Sequence, residues 1–210
     1  NMKNVLVVGA HPDDLEWMAG GTVAKIISEG GKVHLLTLTN GTWKDASGNF
    51  YRDKDIAIRE ASKAASVLGY TIEHLDEPCL DVNFRDELVV QVLNRIDKIN
   101  ADTIICPWID DLHHDHEITA RIAVSASRRV PRILMGMCNW YVFRTPFNPN
   151  FFVDISDTYS KKMAALECYE SEMKRIGSTW RKYHDNITSN YGLMVNVERA
   201  EGFISYKYKL

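Results

Sequence analysis

Between Gly9 and Gly21 the chain reads GAHPDDLEWMAGG, which places one imidazole and three carboxylates, His11, Asp13, Asp14 and Glu16, within six positions. Carboxylates crowded this closely repel one another wherever water is excluded, so the stretch calls for a positive partner. A second cluster, WIDDLHHDHE from Trp108 to Glu117, holds three of the chain's seven histidines, His113, His114 and His116, with Asp115 among them. Each cluster alone has a structural account. The first can be an acidic helical turn that balances the helix dipole, with His11 as an N-cap-like residue. The second can be a polar loop in which Asp115 caps a helix. Together they supply two imidazoles and a carboxylate to one ion, mixed N/O ligation that suits Zn²⁺, or Fe²⁺ in a two-histidine, one-carboxylate site. Such a set leaves coordination positions free, where a metal acidifies water and polarises a carbonyl. A dinucleotide site is excluded: the stretch lacks G-x-G-x-x-G, and two aspartates would repel a pyrophosphate.

The elements that must position these residues alternate between strand-like and helix-like patterns. Lys3 to Val8 is a β-branched apolar run expected to be a strand buried on both faces. From Leu15 to Ile27 the apolar positions recur at helical spacing, and Gly30-Gly31 closes that helix. Val33–Leu38 is a second strand, and the polar stretch Asn40 to Arg52 reads as a loop. A helix carrying Ile58, Ala61, Ala65 and Leu68 ends at Gly69, and Thr71–Leu75 is a strand. Leu88–Ile99 is a helix with Leu88, Val89, Val92, Leu93, Ile96 and Ile99 facing inward. Thr103–Cys106 is a strand, Ile118–Ser127 a helix and Ile133–Met137 a strand. Beyond Pro146 the pattern predicts a short strand at Phe151–Ile155. A long helix follows, N-capped by Ser156 or Asp157, with Tyr159, Met163, Leu166, Tyr169 and Met173 on one face. The tail from Val195 to Tyr208 reads as a strand or hairpin.

This alternation predicts an α/β fold, a Rossmann-like three-layer sandwich with a mostly parallel central sheet. The 210 residues suit one domain, with a core of about 2–145 and a helix-and-strand extension of about 146–210. Both clusters follow strands, at the carboxyl edge where open α/β sheets bind ligands. A net charge of −3 argues against a general nucleic-acid binder. No apolar run reaches the roughly 20 residues of a membrane span. The four cysteines, Cys79, Cys106, Cys138 and Cys168, form no C-x-x-C pair and read as reduced thiols. With no signal-peptide pattern, the expectation is a cytoplasmic protein.

AHPDDLE, followed about a hundred residues later by HHDH, resembles the LmbE-like, or PIG-L-type, N-acetylglucosaminyl de-N-acetylase family, whose pattern is A-H-P-D-D-x-E with a later H-x-D-H. IREASKAASVLG (Ile58 to Gly69), VDISDTYSKKMAAL (Val153 to Leu166) and RAEGF (Arg199 to Phe203) resemble further segments of that family. The resemblance implies a metal-dependent hydrolase that deacetylates an N-acetylated amino sugar or glycoconjugate, a small-molecule substrate. It makes His11, Asp14 and His116 the ligands of Zn²⁺, with Fe²⁺ as the alternative, and Asp13 the general base. It makes His113 the cationic partner of the developing oxyanion, oriented by Asp115, and Arg59 an arginine that contacts substrate. Glu16 is expected to orient a ligand or the loop. Asn40 and Trp43 are expected to border the pocket, and Trp43 or Trp17 to stack on a sugar ring or to join the core. Trp17-Met18 departs from the smaller residues of relatives, and Cys168–Glu172 departs from a frequent H-x-S-Q. Relatives are often oligomeric, which leaves a homo-oligomer open. Three other readings remain: a non-catalytic sugar- or metal-binding relative, a hydrolase of another acyl amide, and a non-haem Fe²⁺ oxygenase, whose triad usually sits on an all-β scaffold.

Overall fold

The computed structural model describes residues 2–141 and 145–209. Its central sheet begins with β1 (Asn4–Gly9), which pairs in parallel with β2 (Lys32–Thr39) on one side and β6 (Thr103–Pro107) on the other. Outward from these lie β5 (Thr71–Glu77) beside β2, and β7 (Arg132–Gly136) beside β6, again parallel. Two antiparallel pairings complete it: β9 (Ala200–Tyr208) against β7, and β8 (Phe151–Asp154) against β9. The seven-stranded order is therefore β5-β2-β1-β6-β7-β9-β8. The chain winds outward from β1 in one direction, then crosses to β6 and continues in the other. The crevice between the carboxyl ends of β1 and β6 is thus the topological switch point, the preferred ligand site of such sheets.

Because side chains alternate along a strand, β1 feeds both faces. Val5 and Val7 pack with residues of α1 (Asp14–Ser28), α2 (Lys54–Leu68) and α5 (Tyr159–Glu167), including Leu15, Val23, Ala61 and Leu166. Leu6 and Val8 pack with α3 (Asp86–Ile99) and α4 (His114–Ala126), through Val92, Ile96, Ile122 and Ala123. Helices on both faces of a mainly parallel sheet make the three-layer α/β sandwich that the alternation predicts.

Several local expectations are corrected. The stretch from Asn40 to Arg52 contains a small hairpin, β3 (Trp43–Lys44) against β4 (Phe50–Arg52). Strands of two and three residues are too short to show a period. α4 begins at His114, four residues before the apolar pattern starts, because its first turn is occupied by HDHE. The long helix expected after residue 156 is two helices: α5, preceded by Thr158, and α6 (Glu170–Ile176), broken at Cys168-Tyr169. A further helix, α7 (Thr179–Val195), packs on β9 through buried Trp180, His184, Thr188 and Tyr191. The tail is one strand, β9, and Leu93 of α3 is exposed at 37%.

One buried ion pair ties the C-terminal part to α1. Lys162 Nζ lies 2.6 Å from Glu201 Oε1 and also donates to the Trp17 carbonyl. The Glu201 carboxylate accepts from the backbone N–H groups of Gly21 and Thr22. The helix that opens with Asp14 is thereby anchored to β9. All four cysteines are free thiols. Among the described residues no helix is long and apolar enough to cross a membrane.

Candidate metal centre

The turn from β1 into α1 is built around the Asp14 carboxylate. Its Oδ2 accepts from the backbone N–H groups of Ala10 (2.7 Å) and His11 (2.9 Å), and its Oδ1 faces His116. Gly9 permits the turn, since a Cβ there would stand 3.2 Å from the His11 carbonyl and 3.3 Å from Asp14 Cβ. On the neighbouring strand, the loop after β6 runs directly into α4. His113 caps that helix, its Nδ1 accepting from the Asp115 N–H, and His116 falls in the first turn.

Three atoms converge. His11 Nδ1 lies 3.2 Å from His116 Nε2, His116 Nε2 lies 3.1 Å from Asp14 Oδ1, and His11 Nδ1 lies 3.6 Å from Asp14 Oδ1. Bonds of about 2.0–2.1 Å to a tetrahedral Zn²⁺ would hold such donors about 3.3–3.4 Å apart. The opposite nitrogen of each imidazole faces a carboxylate: His11 Nε2 donates to Asp115 Oδ2 and His116 Nδ1 to Asp111 Oδ2, both at 3.1 Å. A carboxylate can only accept, so these contacts fix the tautomers and turn both remaining lone pairs toward the shared point. The donor set therefore fits a divalent metal at His11, Asp14 and His116. His11, His113 and Asp115 also lie close together. In that set, however, Asp115 is already committed to the N–H groups of Leu80 and Val82 and to His11.

The charges agree with this arrangement. Burial opposes protonation of His11, but Asp115 and Asp14 outweigh it and push its pKa up to about 10. Burial likewise opposes a charge on His116, yet Asp14 and Asp111 raise it to about 9. The carboxyl of Asp14 is buried too, but His116 and His11 hold it well below the usual range. These groups are a preassembled set of countercharges in which a metal can replace protons.

Asp13 lies beside this set and is 8% exposed. Burial raises its pKa, the Arg52 guanidinium lowers it, and Glu172 and Asp14 raise it again. No group among the described residues hydrogen-bonds its carboxylate, so it is free to exchange a proton. Its position and freedom suit a general base.

His113 stacks on His116 with ring centroids 4.5 Å apart. Burial and the neighbouring charges of His116 and His11 press its pKa down to about 4. With Nδ1 accepting from the Asp115 N–H, Nε2 is the ring nitrogen that His113 has left to donate. Asp115 hydrogen-bonds to His113 through its backbone N–H, at 3.2 Å. The Asp115 carboxylate itself holds His11 and the 80–82 segment.

Arg59 is exposed on α2. The guanidinium near Asp13 belongs instead to Arg52 of β4. That side chain is buried, donates from Nε to the Gly41 carbonyl at 2.8 Å, and has its Nη1 3.8 Å from Glu172 Oε2. Trp17 is buried in a ring cluster with Trp140, Tyr183 and His184, so the sugar-stacking alternative for it is corrected to a core role. Asn40 and Trp43 line a cleft next to the centre. Glu16 is fully buried and accepts from Tyr70 Oη at 2.7 Å, and Tyr169 Oη donates to the Pro12 carbonyl at 2.7 Å. Glu16 and Tyr169 therefore brace the loop that carries His11 and Asp13. Sequence reasoning missed Asp111 and Arg52. Asp111 stood within the second cluster, five positions before His116, and was the more readable of the two.

Residues 6–127 match the family model described as PIG-L: GlcNAc-PI de-N-acetylase. Diacetylchitobiose deacetylase of Thermococcus kodakarensis is 26% identical, the match covering 96% of this chain and 82% of the relative. The 4-oxalmesaconate hydratase of Pseudomonas putida is 25% identical, over 79% of this chain and 72% of the relative. A conserved protein of Thermus thermophilus superposes with a TM-score of 0.83 at 25% identity, covering 100% of this chain and 97% of that one.

Proposed function

Since the chain belongs to the PIG-L family of GlcNAc-PI de-N-acetylases, we propose that it is a metal-dependent hydrolase that removes the acetyl group from the N-acetyl amide of a small amino sugar or glycoconjugate. The observation that carries this reading is the convergence of His11 Nδ1, His116 Nε2 and Asp14 Oδ1, with the remaining polar atoms of each ligand already bound by protein. His11, Asp14 and His116 would hold Zn²⁺, with Fe²⁺ as the alternative. Bound there, the ion supplies the Lewis acidity that activates water and polarises the amide carbonyl.

The protein's own groups supply the rest. Asp13 takes a proton from the attacking water and delivers it to the departing amine. His113 offers Nε2–H to the oxyanion that develops on the carbonyl oxygen. Asp115 and Asp111 keep the two ligand imidazoles in register, and Arg52 and Glu172 set the charge around Asp13. Asn40 and Trp43 border the substrate, whereas Arg59 is left without a role.

The reading is tested by stripping the metal, restoring Zn²⁺ or Fe²⁺, and measuring acetate released from a panel of N-acetylglucosaminides. Metal-dependent release that falls by about 10²–10⁴-fold in Asp13→Asn, with metal content retained, is the expected result. Stoichiometric metal binding without acetate would point to another acyl amide or to a binding role. The likeness to a hydratase favours a second reading, addition of water across a carbon–carbon double bond from the same centre. Loss of absorbance from an unsaturated dicarboxylate, with no acetate formed from any glucosaminide, would establish it instead.

A further inference from the structure

Beside the metal centre a cleft of about 740 Å³ opens among Asn40, Trp43, Phe50, Asp53, Asp76 and Leu80. It is joined to the centre at two points. The Leu80 N–H donates to Asp115 Oδ2 at 2.7 Å, and that oxygen also receives His11. Gly41, next to Asn40, lies so close to Pro12 that a Cβ on it would stand 2.7 Å from the proline ring. A cleft of this size falls in the upper half of the roughly 300–1,000 Å³ range of ligand pockets and has room beyond a single amino sugar.

Resting on the de-N-acetylase reading, we infer that this cleft receives the substrate's aglycone and selects a neutral, hydroxyl-bearing ring over an anionic group. Trp43 and the 59%-exposed Phe50 offer flat apolar faces to the C–H face of a ring. The charges discriminate. Three carboxylates, Asp53, Asp55 and Asp76, line the cleft against two ammonium groups, Lys44 and Lys54. Both ammonium groups are engaged: Lys54 Nζ is 2.9 Å from Asp76, and Lys44 Nζ sits over the Phe50 ring, 4.5 Å from its centroid. The guanidinium over the Trp43 ring, Arg175, is paired with Glu172. Asp53 caps α2 and Asp76 is paired with Lys54 and Asn40, which leaves Asp55 as the acceptor for a sugar hydroxyl, and a phosphate or carboxylate entering here would add its charge to a lining with more carboxylates than ammonium groups.

The test is calorimetric binding of N,N′-diacetylchitobiose, N-acetylglucosamine and N-acetylglucosamine 1-phosphate to metal-loaded protein carrying Asp13→Asn, which keeps the sugars intact. The disaccharide should bind about tenfold or more tighter than the monosaccharide, the scale of one well-placed stacked ring. The 1-phosphate should bind more weakly than the monosaccharide. Trp43→Ala and, separately, the exposed Phe50→Ala should each shrink the disaccharide's advantage, and Asp55→Lys should restore binding of the 1-phosphate. Equal binding of disaccharide and monosaccharide, or tighter binding of the 1-phosphate, overturns the inference. If wild-type enzyme releases no acetate from any of the three but the disaccharide preference and its loss in the variants persist, the hydrolase reading fails and the cleft assignment stands.

Discussion

His11 Nδ1 lies 3.2 Å from His116 Nε2, although 105 positions separate the two residues in the chain. Each ring is pulled toward a different carboxylate by its other nitrogen, so the short distance is imposed from outside the pair. Without metal, the neighbouring carboxylates push the two pKa values up to about 10 and about 9, so the pair of rings retains added proton at neutral pH. Metal must therefore displace protons. Binding of Zn²⁺ at pH 7 should release protons, and affinity should climb with pH until the rings deprotonate unaided. Calorimetry in buffers of different ionisation enthalpy counts these protons, and release of none would contradict the arrangement. The metal-free fold should respond in the opposite sense. Raised histidine pKa values stabilise it fully below the ordinary value near 6.5, and that contribution is lost as pH climbs through about 9 to 10.

Asp111 controls His116 from behind. Its Oδ2 receives His116 Nδ1, its Oδ1 receives the His113 N–H at 2.8 Å, and Asn139 Nδ2 donates to both oxygens. Asp111→Asn keeps the shape and removes the charge that fixes the imidazole. Metal affinity should fall about 10–100-fold, the usual cost of losing such a partner, while the fold persists. Competition with a chromophoric chelator reads the change, and an unaltered Kd would mean that His116 is held by packing alone.

His113 should act without titrating. Without metal, burial and the charges of His116 and His11 press its pKa down to about 4, and its Nδ1 accepts from the Asp115 N–H, which leaves Nε2–H as the donor. His113→Phe removes the Nε2–H donor and should lower kcat by about 10²–10³-fold, the loss typical of one oxyanion donor. The acid limb of the kcat/KM profile should stay where it is in the wild-type enzyme. A wild-type limb between pH 6 and 7 that vanishes in the variant would restore a cationic His113.

Much of this site was legible because its residues fall in two short, chemically dense stretches after two strands with clear apolar patterns. β1 and β6 are buried on both faces, so their positions could be read from composition alone, and topology brings their carboxyl ends together. What was not legible depended on residues whose partners are remote. Arg52 sits on a strand of three residues that packs its guanidinium near Asp13, and nothing in its neighbours distinguishes it from Arg59. The break between α5 and α6 follows from Tyr169, buried so that its hydroxyl reaches the Pro12 carbonyl, a contact across 157 positions. α7 buries Trp180, His184, Thr188, Tyr191 and Gly192, and the two polar residues among these blur the apolar period. The electrostatic state of His113 also lay beyond the sequence, since it depends on two neighbouring rings and on burial.

Lys162 gives a test of how the C-terminal part supports the centre. Its ammonium is 1% exposed and bridges the Trp17 carbonyl and Glu201, while Glu201 accepts two N–H groups of α1. Lys162→Met replaces the stem with apolar volume but leaves the Glu201 carboxylate buried without its cation. Breaking one side of such a pair costs about 3–5 kcal/mol, which chemical denaturation of the metal-free protein should read directly. Replacing both partners, as Lys162→Met with Glu201→Gln, removes the uncompensated charge and keeps an acceptor for Gly21 or Thr22. The double variant should therefore be more stable than the single one. If the single variant loses less than about 1 kcal/mol, within the range of ordinary surface changes, the pair does not anchor α1 and the metal loop must be held by Glu16 and Tyr169 alone.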